Sequence, residues 1–239
     1  VPESTATETV LGYREIASRL LEAGFEDCFG LMGEDTAGLT TALIGGGVRY
    51  RSARQENSAI TMADGFSRAT GRVGLAIVSR GPGLLNALGA IAGADRAGSA
   101  LLVITGEGPI VEGKRAAPAF DLKSMDHPAA VGSVGVACFR PDRADEVVDQ
   151  FERALATARR GRVAVLCLPV SFMEGEIPPG GAAAGSAERC VPQAIEPVPA
   201  AVERAAAAIA AAEKVVVVGG RGAWIGGAGP ALVELADAT

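Results

Sequence analysis

The chain has 239 residues, a formal net charge of -6, 49% hydrophobic residues and only 4% aromatic ones. That length supports one large domain, or one domain with part of a second, and a core that needs no covalent or metal staple. The acidic balance excludes non-specific attraction to nucleic acid or to an anionic membrane surface, and no apolar run approaches the ~20 residues that span a bilayer. The polar opening Val1-Pro2-Glu3-Ser4-Thr5 carries no targeting pattern, so a cytoplasmic protein is expected. Cys28, Cys138, Cys167 and Cys190 show no C-x-x-C spacing, and the first three sit in apolar runs. They are expected to be buried reduced thiols, not metal or redox groups.

From Thr9 onward Tyr13, Ile16, Ala17 and Leu20 recur at helical spacing, with Gly24 where the helix stops. A short strand over Cys28 to Leu31, a turn containing Gly33, a helix over Ala37 to Leu43 and a strand over Val48 to Ala53 follow. From Gln55 to Thr70 a helix is predicted, with Ala59, Met62, Ala63 and Phe66 on one face and Gly71 at its end. Val73 to Ser79 is apolar on both alternating faces, as a central parallel strand should be. The turn Gly81-Pro82-Gly83 then opens a helix rich in Ala and Gly.

Leu101 to Thr105 reads as another buried strand, and Gly106 to Pro128 as an irregular loop. Two further strands, Val134 to Phe139 and Val163 to Leu168, flank a helix on which Val147, Phe151, Ala154 and Ala158 share a face. The sum is an α/β fold with a mostly parallel sheet of about six strands covered by helices on both faces. Glu174 to Pro199 turns to Pro, Gly, Ala and Ser and reads as a linker. A second unit begins with a helix over Ala200 to Ala212, a strand over Val215 to Val218, a glycine turn and a helix over Pro230 to Ala238. The expected division is therefore a domain over 8–173, a linker over 174–199, and an incomplete α/β unit over 200–239.

The chemistry concentrates in three pieces. Arg54-Gln55-Glu56-Asn57 runs into Met62-Ala63-Asp64-Gly65-Phe66-Ser67-Arg68-Ala69-Thr70-Gly71; then come Gly81-Pro82-Gly83-Leu84-Leu85-Asn86 and Leu101-Leu102-Val103-Ile104-Thr105-Gly106. Taken alone, Glu56 also reads as a first-turn acid complementing the helix dipole, and the Gly-Pro-Gly turn as a plain strand-to-helix connection. Their order and spacing together resemble the N-terminal, pyrimidine-binding domain of the thiamine diphosphate enzymes of the acetolactate synthase, pyruvate decarboxylase and benzoylformate decarboxylase type. The resemblance covers roughly Glu8 to Phe172, and the unit after Pro199 resembles the start of that family's central domain.

The resemblance implies that Glu56 hydrogen-bonds N1' of the aminopyrimidine and so favours the imino tautomer that takes a proton from the thiazolium C2. It implies that Gly33, Pro82 and Asn86 lie near the pyrimidine or at a subunit contact around it, where glycine lets backbone approach a flat ring. Glu34 matches the position of an aspartate that faces the reacting centre in the pyruvate decarboxylase branch; a solvated turn carboxylate is its other reading. Several residues depart from the pattern. Arg80 stands where a small residue is usual, Glu107 where glutamine is commoner, and Asp121 replaces the glutamine after Phe120. The decarboxylase branch uses a histidine pair, and His127 is the one histidine here; it reads as structural. These departures argue against acetolactate synthesis proper.

No Gly-Asp-Gly with a downstream Asn occurs in the sequence. In the resembled family that motif binds the divalent metal, and hard Mg requires such oxygen ligands. Only the pyrimidine half of thiamine diphosphate is therefore expected on this chain, with Mg on a separate domain and no metal ligand among these residues. The Gly219-Gly220-Arg221-Gly222 turn gives G-x-G-x-x-x-G with no acidic partner at the required distance, so neither FAD nor a nicotinamide cofactor is expected. The functional expectation is the N-terminal part of a thiamine diphosphate-dependent 2-oxoacid decarboxylase or carboligase. It would act as a homodimer or larger assembly, or with a partner subunit that supplies the diphosphate-binding domain. The alternative is a non-catalytic binding or assembly module that retains the fold.

Overall fold

A computed structural model of the chain describes residues 9–115, 121–180 and 196–238. The described residues up to 180 form one compact unit, and those from 196 form a second, smaller one.

The first unit alternates helix and strand. In chain order it runs α1 (Gly12–Glu22), β1 (Asp27–Gly30), α2 (Ala37–Gly45), β2 (Arg49–Ser52), α3 (Glu56–Thr70), β3 (Gly74–Val78), α4 (Pro82–Arg96) and β4 (Leu101–Glu107). It continues with α5 (His127–Ser133), β5 (Ala137–Phe139), α6 (Val147–Arg159), β6 (Val163–Pro169) and α7 (Val170–Glu174). The six strands form one sheet in the order β2-β1-β3-β4-β6-β5, and every pairing is parallel. The predicted α/β architecture is thus the observed one.

Burial explains the layering. Every residue of β3, β4 and β6 is buried, which requires cover on both faces of the sheet. On one face Ile16 and Leu20 of α1, Leu39 and Leu43 of α2, and Phe151 and Leu155 of α6 pack against Leu75, Ile77, Leu102, Ile104 and Leu166. On the other, Ala59, Ile60 and Ala63 of α3, Leu84, Ala87 and Ile91 of α4, and Val131 of α5 pack against Ala76, Val78, Val103 and Val165. The alternate strand residues divide between the two faces, as the two-residue strand period dictates. Of the α3 face read from the sequence, Ala59 and Ala63 are buried while Met62 is exposed and Ile60 is buried instead; α3 lies close to the sheet, where a Cβ on Gly74 would collide with the backbone carbonyl of Ala63.

The stretch from Gly106 to Pro128, expected to be irregular, contains regular structure at both ends. β4 runs on to Glu107, and Ile110–Val111 pairs antiparallel with Lys114–Arg115. At the far end Asp126 caps α5, its carboxylate accepting from the Ala129 amide at 3.0 Å. Asp-His-Pro is a helix-start signal, with the cap acid before a proline in the first turn. Consequently β5 begins at Ala137, after α5 ends and Gly135 takes a φ of 77°. The start of the expected linker is also ordered, because Glu176–Ile177 pairs antiparallel with Val10–Leu11 and Ile177 is fully buried. Cys28, Cys138 and Cys167 lie in β1, β5 and β6 as free thiols; Phe120 and Cys190 lie outside the described residues.

In the second unit α8 (Pro199–Ala210) and α10 (Gly229–Ala238) match the two predicted helices, with a short α9 (Arg221–Ile225) between them. Val215 to Val218 forms no strand here, and Val216 and Val218 are 87% and 88% exposed. An extended apolar segment becomes a strand only when another backbone pairs with it, and no such partner stands among the described residues. No helix among the described residues is long and apolar enough to cross a membrane.

One topological feature positions the site. From β1 the chain moves outward to β2, then returns to the opposite side of β1 as β3. The segments leaving the carboxyl ends of β1 and β3 therefore diverge, which opens the crevice where parallel α/β sheets bind ligands.

Candidate functional site

Glu56 is the first residue of α3 and is 8% exposed. The Asn86 side chain donates to its Oε2 at 3.3 Å, and a Cβ on Gly83 would stand 3.0 Å from its Oε1. Gly83 and Asn86 are three residues apart on the first turn of α4, so they share a face. The first turns of two adjacent helices thus bring a carboxylate, an amide and bare glycine backbone together. Pro82 sits exposed at the start of α4, where a missing amide hydrogen costs nothing.

A second buried carboxylate, Asp35, organises the crevice. Its Oδ1 accepts from Ser79 Oγ at 2.8 Å, and its Oδ2 from the Arg80 amide at 2.9 Å. These bonds lock the turn after β1 to the turn after β3. The fit depends on glycine: a Cβ on Gly33 would stand 2.6 Å from Ser79 Oγ, and one on Gly106 would overlap the Asp35 carboxylate. Glu34, the candidate from the sequence, lies on the other side of this turn. Its side chain is 94% exposed, with the Lys123 ammonium 4.0 Å away. Of these two adjacent acids the fold turns Asp35 inward and leaves Glu34 at the surface. Asp35 and Ser79 were not singled out from the sequence; polar residues at the carboxyl ends of two central strands were the available signal.

Arg80 and Asp121, both departures from the resembled pattern, are partners. The Arg80 guanidinium donates to Asp121 Oδ2, and the Asp121 carboxyl is held below its usual range first by the Lys123 amide and then by Arg80. The bulky cation lies folded against the 121–126 segment, with 15% of its side chain exposed.

His127 is fully buried. The Gly81 amide donates to its Nε2 at 3.0 Å, and its Nδ1 lies 3.2 Å from the Met125 carbonyl. An amide can only donate, so Nε2 is bare and the proton is on Nδ1, where it bonds to Met125. Burial is the main cause that pushes the imidazole below its usual value; the Met125 bond opposes it, Arg80 and Arg140 add to it, and Asp35 opposes. Glu107, also buried, stands 3.9 Å from Nδ1 and accepts from Arg140 at 3.4 Å.

Residues 12–125 match the family described as thiamine pyrophosphate enzyme, N-terminal TPP binding domain. That segment, which supplies four of the six strands of the parallel sheet, belongs to this N-terminal domain family of the thiamine pyrophosphate enzymes. Among curated relatives, the chain is 32% identical over 151 residues to 2-hydroxyacyl-CoA lyase 2 of Danio rerio, covering 63% of this chain and 24% of that protein. It is 36% identical over 101 residues to the acetolactate synthase isozyme 3 large subunit of Escherichia coli K12, covering 42% of this chain and 18% of that protein. A probable acetolactate synthase of Mycobacterium bovis is 27% identical over 200 residues, 77% of this chain and 36% of its own length. The chain therefore spans well under half the length of these relatives.

Two outcomes follow from the geometry. Asp35→Ala strands two donors, the Ser79 hydroxyl and the Arg80 amide, in a buried setting, and lowers unfolding stability by roughly 1–3 kcal/mol, to be read from urea denaturation. His127 contributes a pH term of definite sign. Its folded pKa lies below the ordinary imidazole value of 6.5, so the unfolded chain binds the extra proton first. The stability held above pH 6.5 is lost as pH falls through that value toward the lowered one; denaturation midpoints at pH 7.5 and 5.5 measure it, against His127→Gln as the reference (about 6.5 being the unperturbed midpoint).

Proposed function

We propose that this chain provides the pyrimidine-binding, proton-relaying half of a thiamine diphosphate site in a 2-oxoacid decarboxylase or carboligase. The observation that carries the reading is the buried Glu56 carboxylate, held by Asn86 and facing the glycine backbone of the Gly-Pro-Gly turn. These groups fit the aminopyrimidine end of the cofactor. A carboxyl in a shielded place can hold or share a proton, and glycine lets a flat ring approach backbone. The sequence holds no Gly-Asp-Gly with a downstream Asn, so in this reading the diphosphate and its Mg are held by a domain from another part of a longer protein or from a partner subunit.

When bound, thiamine diphosphate supplies a carbon nucleophile for the 2-oxoacid carbonyl and an electron sink for loss of carbon dioxide. The residues of this chain do the rest. Glu56 would hold the proton shared with N1' of the bound aminopyrimidine. Asn86 fixes the orientation of the Glu56 carboxylate. Asp35, tied to Ser79 and the Arg80 amide, keeps the two turns at the crevice in register. In this reading Glu34, exposed beside Lys123, would meet substrate entering from solvent.

Glu56→Gln keeps the shape and removes the exchangeable carboxyl proton. In the assembly containing the diphosphate-binding domain, thiamine-dependent turnover of a 2-oxoacid is expected to fall by about 10²–10⁴-fold, the usual contribution of a positioned acid or base. Steady-state kinetics on the wild-type and variant assemblies check it, and full activity in the variant would contradict the role. Absence of thiamine-dependent turnover in the wild-type assembly would favour the non-catalytic module instead.

A further inference from the structure

We propose that His127 is a positioning residue of this site: its neutral imidazole, bare at Nε2, fixes the Gly81 amide and so sets how closely the Gly-Pro-Gly turn approaches Glu56. Its effect on turnover rests on the function proposed above; its geometry does not.

Gly81 is buried and precedes α4 at a φ of 65°, so its amide belongs to the donors that the helix itself cannot satisfy. Inside a protein such a donor needs an acceptor. His127 Nε2, from a residue 46 positions away, supplies it at 3.0 Å. The segment leading to His127 also presses on the turn, since a Cβ on Gly81 would stand 2.5 Å from the Lys123 carbonyl. Two residues on, a Cβ at Gly83 would stand 3.0 Å from Glu56 Oε1, and Asn86 holds Oε2. The imidazole and the Glu56 carboxylate therefore meet the same short turn, one at Gly81 and the other at Gly83.

Burial, first among the causes, pushes the imidazole below its usual value, and the charged groups around it are engaged with one another. Arg80 is engaged by Asp121, Arg140 by Glu107, and Asp35 by Ser79 and the Arg80 amide. On its own segment Asp126 caps α5, and Lys123 lies 3.8 Å from Asp35. A protonated ring would set an N–H against the Gly81 N–H and release the turn.

His127 is the one histidine of the chain, so its imidazole nitrogens are unambiguous in the NMR spectrum of the 15N-labelled protein. At pH 7 we expect the Nδ1-protonated tautomer and a scalar coupling across the hydrogen bond between Nε2 and the Gly81 amide nitrogen. An Nε2-protonated ring, or one that titrates at the ordinary value, overturns the proposal even if no variant folds. His127→Leu should displace the amide resonances of Gly81, Gly83 and Glu56, and His127→Gln, whose side-chain oxygen can accept in the same place, should restore them. In the thiamine-dependent assembly His127→Leu should lower kcat by about tenfold or more with KM for the 2-oxoacid unchanged, as expected for misplacement rather than lost binding, and His127→Gln should recover it. Unchanged kcat in His127→Leu refutes the proposal. If the wild-type assembly shows no such turnover, the functional reading fails, while the tautomer and the Gly81 coupling still decide the role of His127.

Discussion

The site depends on how closely backbone can approach two buried carboxylates. Asp35 and Glu56 both stand at the carboxyl edge of a sheet whose central strands are buried on both faces. Each is bonded by one side chain, Asn86 for Glu56 and Ser79 for Asp35, and each is approached by a glycine that leaves it room, Gly83 beside Glu56 and Gly106 beside Asp35. A methyl group at Gly106 would displace the Asp35 carboxylate, and with it the bonds to Ser79 and the Arg80 amide. Those bonds hold the turn after β1 against the turn after β3, and the crevice is the space they define. The helices α3 and α4 are fixed by their apolar faces on the sheet, and they carry Glu56, Gly83 and Asn86 into that space as a consequence of packing.

Electrostatic satisfaction sustains the arrangement. Burial makes an unpaired polar group costly, and four buried side chains at this edge are bonded: Asp35 with Ser79, Glu56 with Asn86, His127 with Gly81, Glu107 with Arg140. Arg80 and Asp121 differ from the resembled pattern in concert. The large cation where a small residue is usual is neutralised by an acid where an amide is usual. The cation is thereby held against the 121–126 segment while the Arg80 amide still serves Asp35.

Much of this was legible in the sequence, and the reasons for success and failure differ by element. β3 and β6 were readable because a doubly covered strand is a short, continuous apolar run. α3 was readable because its apolar residues repeat at helical spacing and Gly71, with a φ of 73°, ends it in the left-handed conformation. Glu56 was singled out by the resemblance that its surrounding motifs carry; its place at the first turn of a helix alone reads equally as a dipole-complementing acid. What the sequence could not convey was direction and distance. Glu34 and Asp35 are adjacent acids in one turn, and only the fold decides which one is buried. The contact between His127 and Gly81 spans 46 residues and leaves no periodic trace. Val215 to Val218 has strand composition, but a strand is a pairing, and composition does not contain the partner.

The central claim is that Glu56 meets the pyrimidine of thiamine diphosphate at N1', and the most direct measurement is an experimental structure of the assembly with the cofactor bound. The account predicts the Glu56 carboxylate within hydrogen-bonding distance of N1', about 2.6–3.0 Å, with the ring lying against the Gly-Pro-Gly turn. A bound cofactor whose N1' is met by another residue, with Glu56 still paired only to Asn86, would contradict it.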